Sequence, residues 1–348
     1  MLASKLLTIA AAAILAVAPL PAHLVEQYYS GWFYPALQAR LTSWSNETGI
    51  ALFDFILLFF IGTVALILWR AIARARRQRS LAVFASGLVT LASALALVYL
   101  WFELAWGLNY ARTPLEAAIG HDRARVTASA VRALAERAVF ETNRTYTAGH
   151  AAGFPAPHEI PPALVRAFRE IESRLGRSRA TVPGRPKKTM LAPFFRASGT
   201  DGMHAPFMLE TLINPDLTPP ERPAVLAHEW AHLAGYAPED DASFVGVLAA
   251  LRADPGARYS AWLSLSFEAA SQLPRDERQR VLATLEAGPR QDQAAIAARL
   301  ASRVDTVQRV SWQTYDRYLK SQGVAEGIQS YSRVVELLIG SGALDWQR

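Results

Sequence analysis

The sequence contains no cysteine among its 348 residues. This absence excludes disulfide bonds and thiolate metal ligands, but it does not locate the protein, because a cysteine-free chain can function on either side of a membrane. The sequence also lacks an internal repeat, a glycine-rich phosphate-binding loop and a low-complexity tract. These absences remove repeat architectures and nucleotide-binding loops from consideration.

Charged residues are scarce, at 19% of the chain, whereas hydrophobic residues make up 51%. The net charge is nevertheless +6 and the isoelectric point is about 9.7. Five of the positive charges lie in one short run: Arg70, Arg74, Arg76, Arg77 and Arg79. Such a run beside apolar segments is typical of a cytoplasmic loop, not of a nucleic-acid-binding surface. We therefore expect no nucleic-acid partner and expect part of the chain to lie in a lipid bilayer.

Three nearly charge-free segments cover residues 6–24, 50–69 and 81–101. Each is about 20 residues long, the length of helix that crosses about 30 Å of hydrocarbon. They predict three transmembrane helices, although Lys5 before the first segment and the small residues near Ala18 also fit a cleaved signal peptide. The arginine run places the loop between the second and third segments inside. Residues 1–103 are thus predicted to be a membrane anchor, and residues 104–348 an extracytoplasmic domain.

The residues most indicative of chemistry are His228, Glu229 and His232, which form an H-E-x-x-H pattern. Two histidines four residues apart share one face of a helix, so both imidazoles can bind one metal ion. Glu229 is offset from them, where its carboxylate can accept a proton from a water molecule at the metal's open position. The alternative is a pair of hydrogen-bonded core histidines with Glu229 at the surface.

A catalytic zinc site needs a third protein ligand, and the nearest carboxylates belong to Glu239, Asp240 and Asp241. All three also fit a purely structural role, because acidic side chains stabilise the first turn of a helix. The following sequence is apolar on almost every side, so its periodicity does not select one of them.

Residues 202–214 predict an extended segment interrupted at Pro206, of the kind found at a sheet edge, where a peptide substrate could pair with it. His204 and Glu210 either face the resulting cleft or are ordinary hydrogen-bonded strand residues. Helices are predicted around residues 126–145, 162–175, 257–272, 276–287, 293–320 and 327–339.

Several motifs together resemble a bacterial membrane-protein family catalogued as domain of unknown function 3810. They are WGLNYAR at 106–112, APFMLETLIN at 205–214, HEWAHLAGYAPEDDASF at 228–244, RYSAWL at 258–263 and the YDRYLKSQG...GIQSYSRVVELL segment ending at Leu338. The resemblance extends from the third apolar segment to the C-terminus. It implies a membrane-anchored zinc metallopeptidase of the gluzincin type in a bacterial inner or cell membrane, with its C-terminal domain periplasmic or extracellular.

The resemblance also implies Glu239 as the third ligand of one Zn²⁺ ion. Ser243 departs from the amide or carboxylate usual at that position, and Asp241 stands where the family would have Glu, so Asp241 remains the alternative ligand. Tyr331 and Arg333 are candidate oxyanion donors by resemblance, beside Tyr236 and His204.

We therefore predict a mainly α protein with three N-terminal transmembrane helices and a mostly helical α+β zincin-like domain containing a short sheet. Its expected function is hydrolysis of peptide bonds in a peptide or protein substrate, with Glu229 as the general base. The competing interpretations are a non-catalytic zinc-binding scaffold or signalling module, and a hydrolase of other amides or esters.

Overall fold

The computed structural model describes residues 2–18, 20–324, 327 and 333–346, and these residues are mainly helical. The α-helices, numbered in chain order, are α1 Leu2–Val17, α2 Ala22–Leu24, α3 Tyr34–Asn46, α4 Leu52–Gln78, α5 Leu81–Ala105, α6 Leu115–Ala118, α7 Ala128–Ala152, α8 Pro162–Arg174, α9 Ala192–Ser198, α10 Arg222–Leu233, α11 Glu239–Arg252, α12 Pro255–Ser271, α13 Arg275–Leu282, α14 Ala287–Leu300, α15 Asp305–Ser321 and α16 Val334–Ser341. A π-helical segment, Val25–Phe33, joins α2 to α3, and short 3₁₀ turns occupy Gly107–Ala111, Arg123–Arg125, Pro219–Glu221 and Ala343–Asp345.

Two of these helices, α4 and α5, are long and apolar enough to cross a membrane. The third predicted span has a different form: α1 has only 16 residues, and it counts as a crossing only if it is combined with the helical segment Ala22–Asn46, which is bent from it by 110°. Lys5 of α1 donates a hydrogen bond from Nζ to Thr90 Oγ1 at 2.6 Å, nine residues into α5. The structure therefore shows two potential spans and leaves the first apolar segment packed along α5.

α4 and α5 form a tight antiparallel hairpin. Arg79 ends α4 in the left-handed conformation, with φ of 48°, and Ser80 caps α5 by accepting a hydrogen bond from the amide of Val83. A side chain at Gly87 would come within 2.3 Å of the Cβ of Ala71, so this glycine is what allows the two helices to approach closely.

The connection between the first two apolar segments packs on the C-terminal part of the chain, although the sequence suggested that it belonged with the anchor. Tyr34 donates a hydrogen bond from its hydroxyl to the carbonyl of Leu233 at 2.8 Å. Thr42 donates in the same way to the carbonyl of Leu209 at 2.9 Å. Buried polar side chains such as these stabilise the contact because each finds a partner away from water.

A three-stranded sheet has the order β1-β3-β2, formed by β1 Pro186–Lys187, β2 Gly202–Ala205 and β3 Glu210–Ile213. β2 and β3 form an antiparallel hairpin, whereas β1 pairs with β3 in parallel. The predicted extended segment is thus two strands, of which β2 is an edge strand and β3 the central one. The turn between them contains Leu209 at a φ of 51°.

Glu210 on β3 links the sheet to the start of α4. Its two carboxylate oxygens accept hydrogen bonds from the amides of Leu52 and Phe53 at 2.9 and 2.7 Å. One oxygen also pairs with Lys187 Nζ at 2.8 Å, and both side chains of this ion pair are fully buried. The carboxylate thereby satisfies two free amides in the first turn of a helix, where the helix dipole favours negative charge.

Helix α10 lies at the centre of the domain and packs against α11, α12, α8 and the sheet. Gly246 on α11 allows α10 and α11 to pack closely, because a Cβ at this position would lie 2.8 Å from the backbone nitrogen of His228. The predicted single helix over 293–320 was wrong: residues 301–304 separate α14 from α15, and the amide of Val304 donates to the carbonyl of Ala197 at 2.8 Å.

Candidate metal centre

Three side chains from α10 and α11 converge on one point. His228 Nε2 lies 3.1 Å from His232 Nε2, and Glu239 Oε2 lies 3.2 Å from the first nitrogen and 3.3 Å from the second. The two histidines share a face because they are one helical turn apart. Gly235, at a φ of 85°, and Pro238 end α10 and begin α11, so Glu239 in the first turn of α11 returns towards that face.

The other ring nitrogen of each histidine has a polar neighbour. His232 Nδ1 lies 2.9 Å from the carbonyl of Tyr236, and His228 Nδ1 lies 3.2 Å from the hydroxyl of Ser243. A carbonyl only accepts, so Nδ1 of His232 carries a hydrogen and Nε2 is the nitrogen that faces the shared point. Trp106 fixes the same turn of α10 by donating from its indole to the carbonyl of His232 at 2.9 Å.

The charges of this cluster are strongly coupled. Burial raises the pKa of Glu239, but the neighbouring imidazoles outweigh burial and hold that pKa below its usual range. Burial lowers the pKa of His232, yet the adjacent Glu239 carboxylate outweighs it and raises the pKa to about 9. A buried carboxylate is therefore ionised between two imidazoles that share it, an arrangement that suits a cation.

Glu229 lies beside this cluster without joining it. It is buried, and its Oε2 has no hydrogen-bond partner among the described residues. Burial raises its pKa to about 7, against the opposing effect of His228 and His232. Gly202 on β2 makes room for it, because a Cβ at that position would lie 2.5 Å from Glu229 Oε1. A buried carboxylate with a free oxygen and a pKa near neutrality is suited to accept and return a proton.

Tyr315 and His204 complete the surroundings of the cluster. Tyr315, on α15, donates a hydrogen bond from its hydroxyl to the second oxygen of Glu239. His204, on the edge strand β2, is buried with both ring nitrogens lacking partners among the described residues, and its ring centroid is 5.1 Å from that of Trp106. Burial lowers the pKa of His204 well below its usual value, which keeps the ring neutral.

Two candidates from the sequence have other neighbours. The ring of Tyr236 lies near the guanidinium groups of Arg112 and Arg177, at 5.2 and 5.7 Å, and only its backbone carbonyl contacts a histidine of the cluster. Asp241 lines a separate cavity of about 480 Å³ together with Asp240 and Arg112.

The C-terminal candidates are placed only in part. Arg333 pairs with Glu116 and, at 3.2 Å, with Asp240, and it lines the same separate cavity as Asp241. Tyr331 lies outside the described residues. Of the oxyanion candidates, His204 has its side chain beside the cluster, because the ring of Trp106 lies 5.1 Å from that of His204 and 6.2 Å from that of His232.

Sequence reasoning missed the roles of Trp106, Tyr315 and Gly202. Trp106 lies just after the third apolar segment, where aromatic residues commonly anchor a helix at the membrane surface, yet it is buried and contacts α10. Its position inside the WGLNYAR motif was the available signal. Tyr315 lies 76 residues from the carboxylate that it contacts. Its position at the start of the YDRYLKSQG motif was the available signal.

The chain is thus a mainly helical protein with two helices that can cross a membrane and a compact group of two histidines and a glutamate. It belongs to the family described as a protein of unknown function (DUF3810), which it matches over residues 29–339. The match begins well before the third apolar segment, where the sequence motifs suggested that it starts, and it includes the connection that packs on the domain. No curated protein and no solved structure matches the chain.

Proposed function

We propose that this protein is a zinc-dependent metallopeptidase, with His228, His232 and Glu239 as the metal ligands and Glu229 as the general base. The observation that carries the proposal is the spacing of the three ligand atoms. Tetrahedral zinc with bonds of about 2.0–2.1 Å separates its ligands by about 3.3–3.4 Å. The three observed separations, 3.1, 3.2 and 3.3 Å, fit this geometry.

The chemistry of the donor set supports the same assignment. Two imidazole nitrogens and one carboxylate oxygen are the ligands of many catalytic zinc sites, which keep a fourth position open. Bound zinc would acidify a water molecule and polarise a substrate carbonyl. The contacts of the outer ring nitrogens hold both imidazoles in place, as is usual for histidine ligands of metals.

Glu229 would accept the proton of the attacking water at its free Oε2 and return it to the leaving amine. Its buried position supports both steps, because a carboxyl group with a pKa near 7 binds and releases a proton with little cost in free energy. His204 is neutral and has no hydrogen-bond partner among the described residues, and it is the side chain on the edge strand best placed to donate a hydrogen bond to the developing oxyanion.

The proposal places three spans in the membrane, with residues 6–24, which include most of α1, as the first, and the metal centre in a zincin-like domain on the extracytoplasmic side. The arginines in the last turns of α4 support this orientation, because such residues accumulate on the cytoplasmic side. α4 begins and α5 ends at the domain that holds the metal centre, so the domain and the arginines are at opposite ends of the hairpin.

The test combines metal analysis with Glu229→Gln. The wild-type protein should bind one zinc ion and cleave peptides, and Glu229→Gln should retain zinc while losing at least about 100-fold in rate, the lower range for a general base. Glu172→Gln is the matched control, because Glu172 is also buried but bonds to Thr181 away from the metal centre. Absence of zinc, or equal rates for wild type and Glu229→Gln, would refute the proposal. Zinc binding without Glu229-dependent hydrolysis would favour a scaffold.

A further inference from the structure

The metal centre is attached directly to the end of a membrane-spanning helix. Trp106 follows the last residue of α5, and its indole donates to the backbone carbonyl of His232, a proposed ligand. Its ring also lies 5.1 Å from that of His204 on the edge strand. One side chain at the end of α5 therefore contacts both the metal-binding helix and the strand beside it.

The last turns of α5 make further contacts with the same region. The ring of Phe102 lies 6.2 Å from that of Tyr318 on α15, the helix whose Tyr315 bonds to Glu239. Phe102 also lies 6.4 Å from Phe207, in the turn that follows the edge strand. Trp101 donates from its indole to the carbonyl of Phe207 at 3.1 Å. The helix and the strand that border the metal centre are thus both fixed to α5.

Helix lengths locate the membrane surface. From Leu81 to Trp101, and from Arg74 back to Asp54, the chain rises about 30 Å at about 1.5 Å per residue, the thickness of the hydrocarbon core. Both estimates, which take Leu81 and Arg74 as the inner ends, put the outer surface near Trp101 and Asp54. Trp106 then lies about 8 Å above that surface. Adding the lengths of its indole, of the hydrogen bond and of the His232 side chain puts the metal position at most roughly 20 Å above the membrane surface.

A loop at the same level presents apolar side chains to its surroundings. Asp54 accepts hydrogen bonds from Thr189 Oγ1 at 2.7 Å and from the amide of Met190 at 2.8 Å, so this loop is held at the start of α4. Met190 in this loop is 50% exposed, and Phe194 in the helix α9 that follows it is 43% exposed. Large apolar side chains at this height would be stabilised by contact with lipid, and such contact would hold the domain against the bilayer.

From these contacts we infer the substrate class, an inference that rests on the peptidase function proposed above. The natural substrates are membrane-anchored polypeptides, cleaved within an extended stretch that begins at the outer membrane surface. An extended chain advances about 3.3 Å per residue, so about six residues cover the height of the metal position. Such a stretch reaches the edge strand β2 while its anchor stays in the bilayer.

The activity test uses one mixed-sequence peptide library in three formats with the full-length protein in phosphatidylethanolamine and phosphatidylglycerol vesicles. In the first format the library is free in solution. In the other two it is joined to a hydrophobic helix by a flexible spacer of about 6 or about 40 residues, and the longer spacer has a root-mean-square length of roughly 35 Å. We expect the short-spacer format to be cleaved at least about tenfold faster than the free peptide, with most of that gain lost for the long spacer.

The outcomes separate this inference from the proposed function. Equal Glu229-dependent cleavage of all three formats, or faster cleavage with the long spacer, would leave the peptidase function standing and overturn the substrate class. If no format is cleaved faster by wild type than by Glu229→Gln, both proposals fail.

A second measurement tests the height of the domain without activity. Because the protein has no cysteine, Met190→Cys can carry a single environment-sensitive fluorophore, with Gln279→Cys on α13 as the control. α13 packs on α7 and α12, and Gln279 is exposed. We expect blue-shifted emission and quenching by spin-labelled lipid at position 190, and neither at position 279. Identical emission from both positions would overturn the membrane-seated geometry.

Discussion

Replacing Ser243 by alanine should weaken zinc binding without disturbing the fold. The Ser243 hydroxyl lies 3.2 Å from Nδ1 of His228, the nitrogen opposite the one directed at the metal. When Nε2 binds the metal, Nδ1 of the neutral ring carries the hydrogen and donates it to the serine oxygen. The substitution removes the acceptor, so the His228 ring loses the contact that fixes its orientation.

The expected magnitude follows from the exposure of the ring. Loss of such an outer contact typically weakens metal binding by about 10- to 100-fold. The His228 side chain is 21% exposed, so a water molecule can replace part of the lost hydrogen bond. We therefore expect the lower end, a decrease in zinc affinity of about tenfold, or about 1.4 kcal/mol in binding free energy.

The assay is competition for zinc between the purified protein and a chromophoric chelator. Ser266→Ala is the matched control, because Ser266 is buried in α12 and, in the part of the chain that the structure describes, its hydroxyl bonds within its own helix, to the carbonyl of Leu263. An unchanged affinity in Ser243→Ala, or an equal loss in Ser266→Ala, would refute the reasoning. Ser243→Asn should recover part of the affinity, because its side-chain oxygen can also accept from Nδ1.

Three further predictions concern the base, the pH dependence and the link to the membrane helix. Gly202→Ala should reduce the hydrolysis rate while zinc is retained, because the added Cβ would lie 2.5 Å from Glu229 Oε1 and displace that carboxylate. Steady-state kinetics will measure the rate, and metal analysis will measure the bound zinc. Zinc affinity should rise with pH by up to about tenfold per unit between pH 7 and about 8.5, since the pKa of His232 is raised to about 9 in the metal-free protein and binding must release its proton. Glu210→Ala should destabilise the protein by about 3–5 kcal/mol in thermal or denaturant unfolding, because it leaves Lys187 buried without its counter-charge.

Each of these has a control and a contrary result. Gly49→Ala is the control for Gly202→Ala, because a Cβ at Gly49 meets nothing within 4 Å, and equal rates in the two variants would contradict the steric argument. A zinc affinity independent of pH over that range would contradict the protonation of His232. For Glu210→Ala, the double variant with Lys187→Met should recover much of the stability, and no recovery would contradict the ion-pair explanation.

The parts of the site that are local in sequence were predictable. Helical periodicity predicts that His228 and His232 share one face of a helix and that Glu229 is offset from it. The helices around them follow from the spacing of apolar residues and from Pro and Gly at the helix ends. Glu239 was selected by family resemblance, and the structure places it beside both histidines. Periodicity alone did not separate it from its neighbours, because α11 is buried on most sides.

The remaining parts depend on contacts between residues distant in the chain. The packing of Tyr34 and Thr42 on the domain spans more than 160 residues, and no local pattern encodes it. The break between α14 and α15 was missed because both helices have polar, exposed faces that give a weak apolar signal. Glu210 was considered as a cleft residue, whereas the structure uses it to hold the start of α4.

The hydrogen bonds between the Glu210 carboxylate and the start of α4 have a mechanical consequence. Glu210 belongs to the central strand β3 and accepts hydrogen bonds from the first amides of α4. A tilt of α4 should therefore also turn the β2–β3 hairpin, which contains Gly202. In the proposed peptidase, the clearance around the Glu229 carboxylate is therefore expected to depend on the inclination of α4, so that a thicker or thinner bilayer would change the rate of hydrolysis.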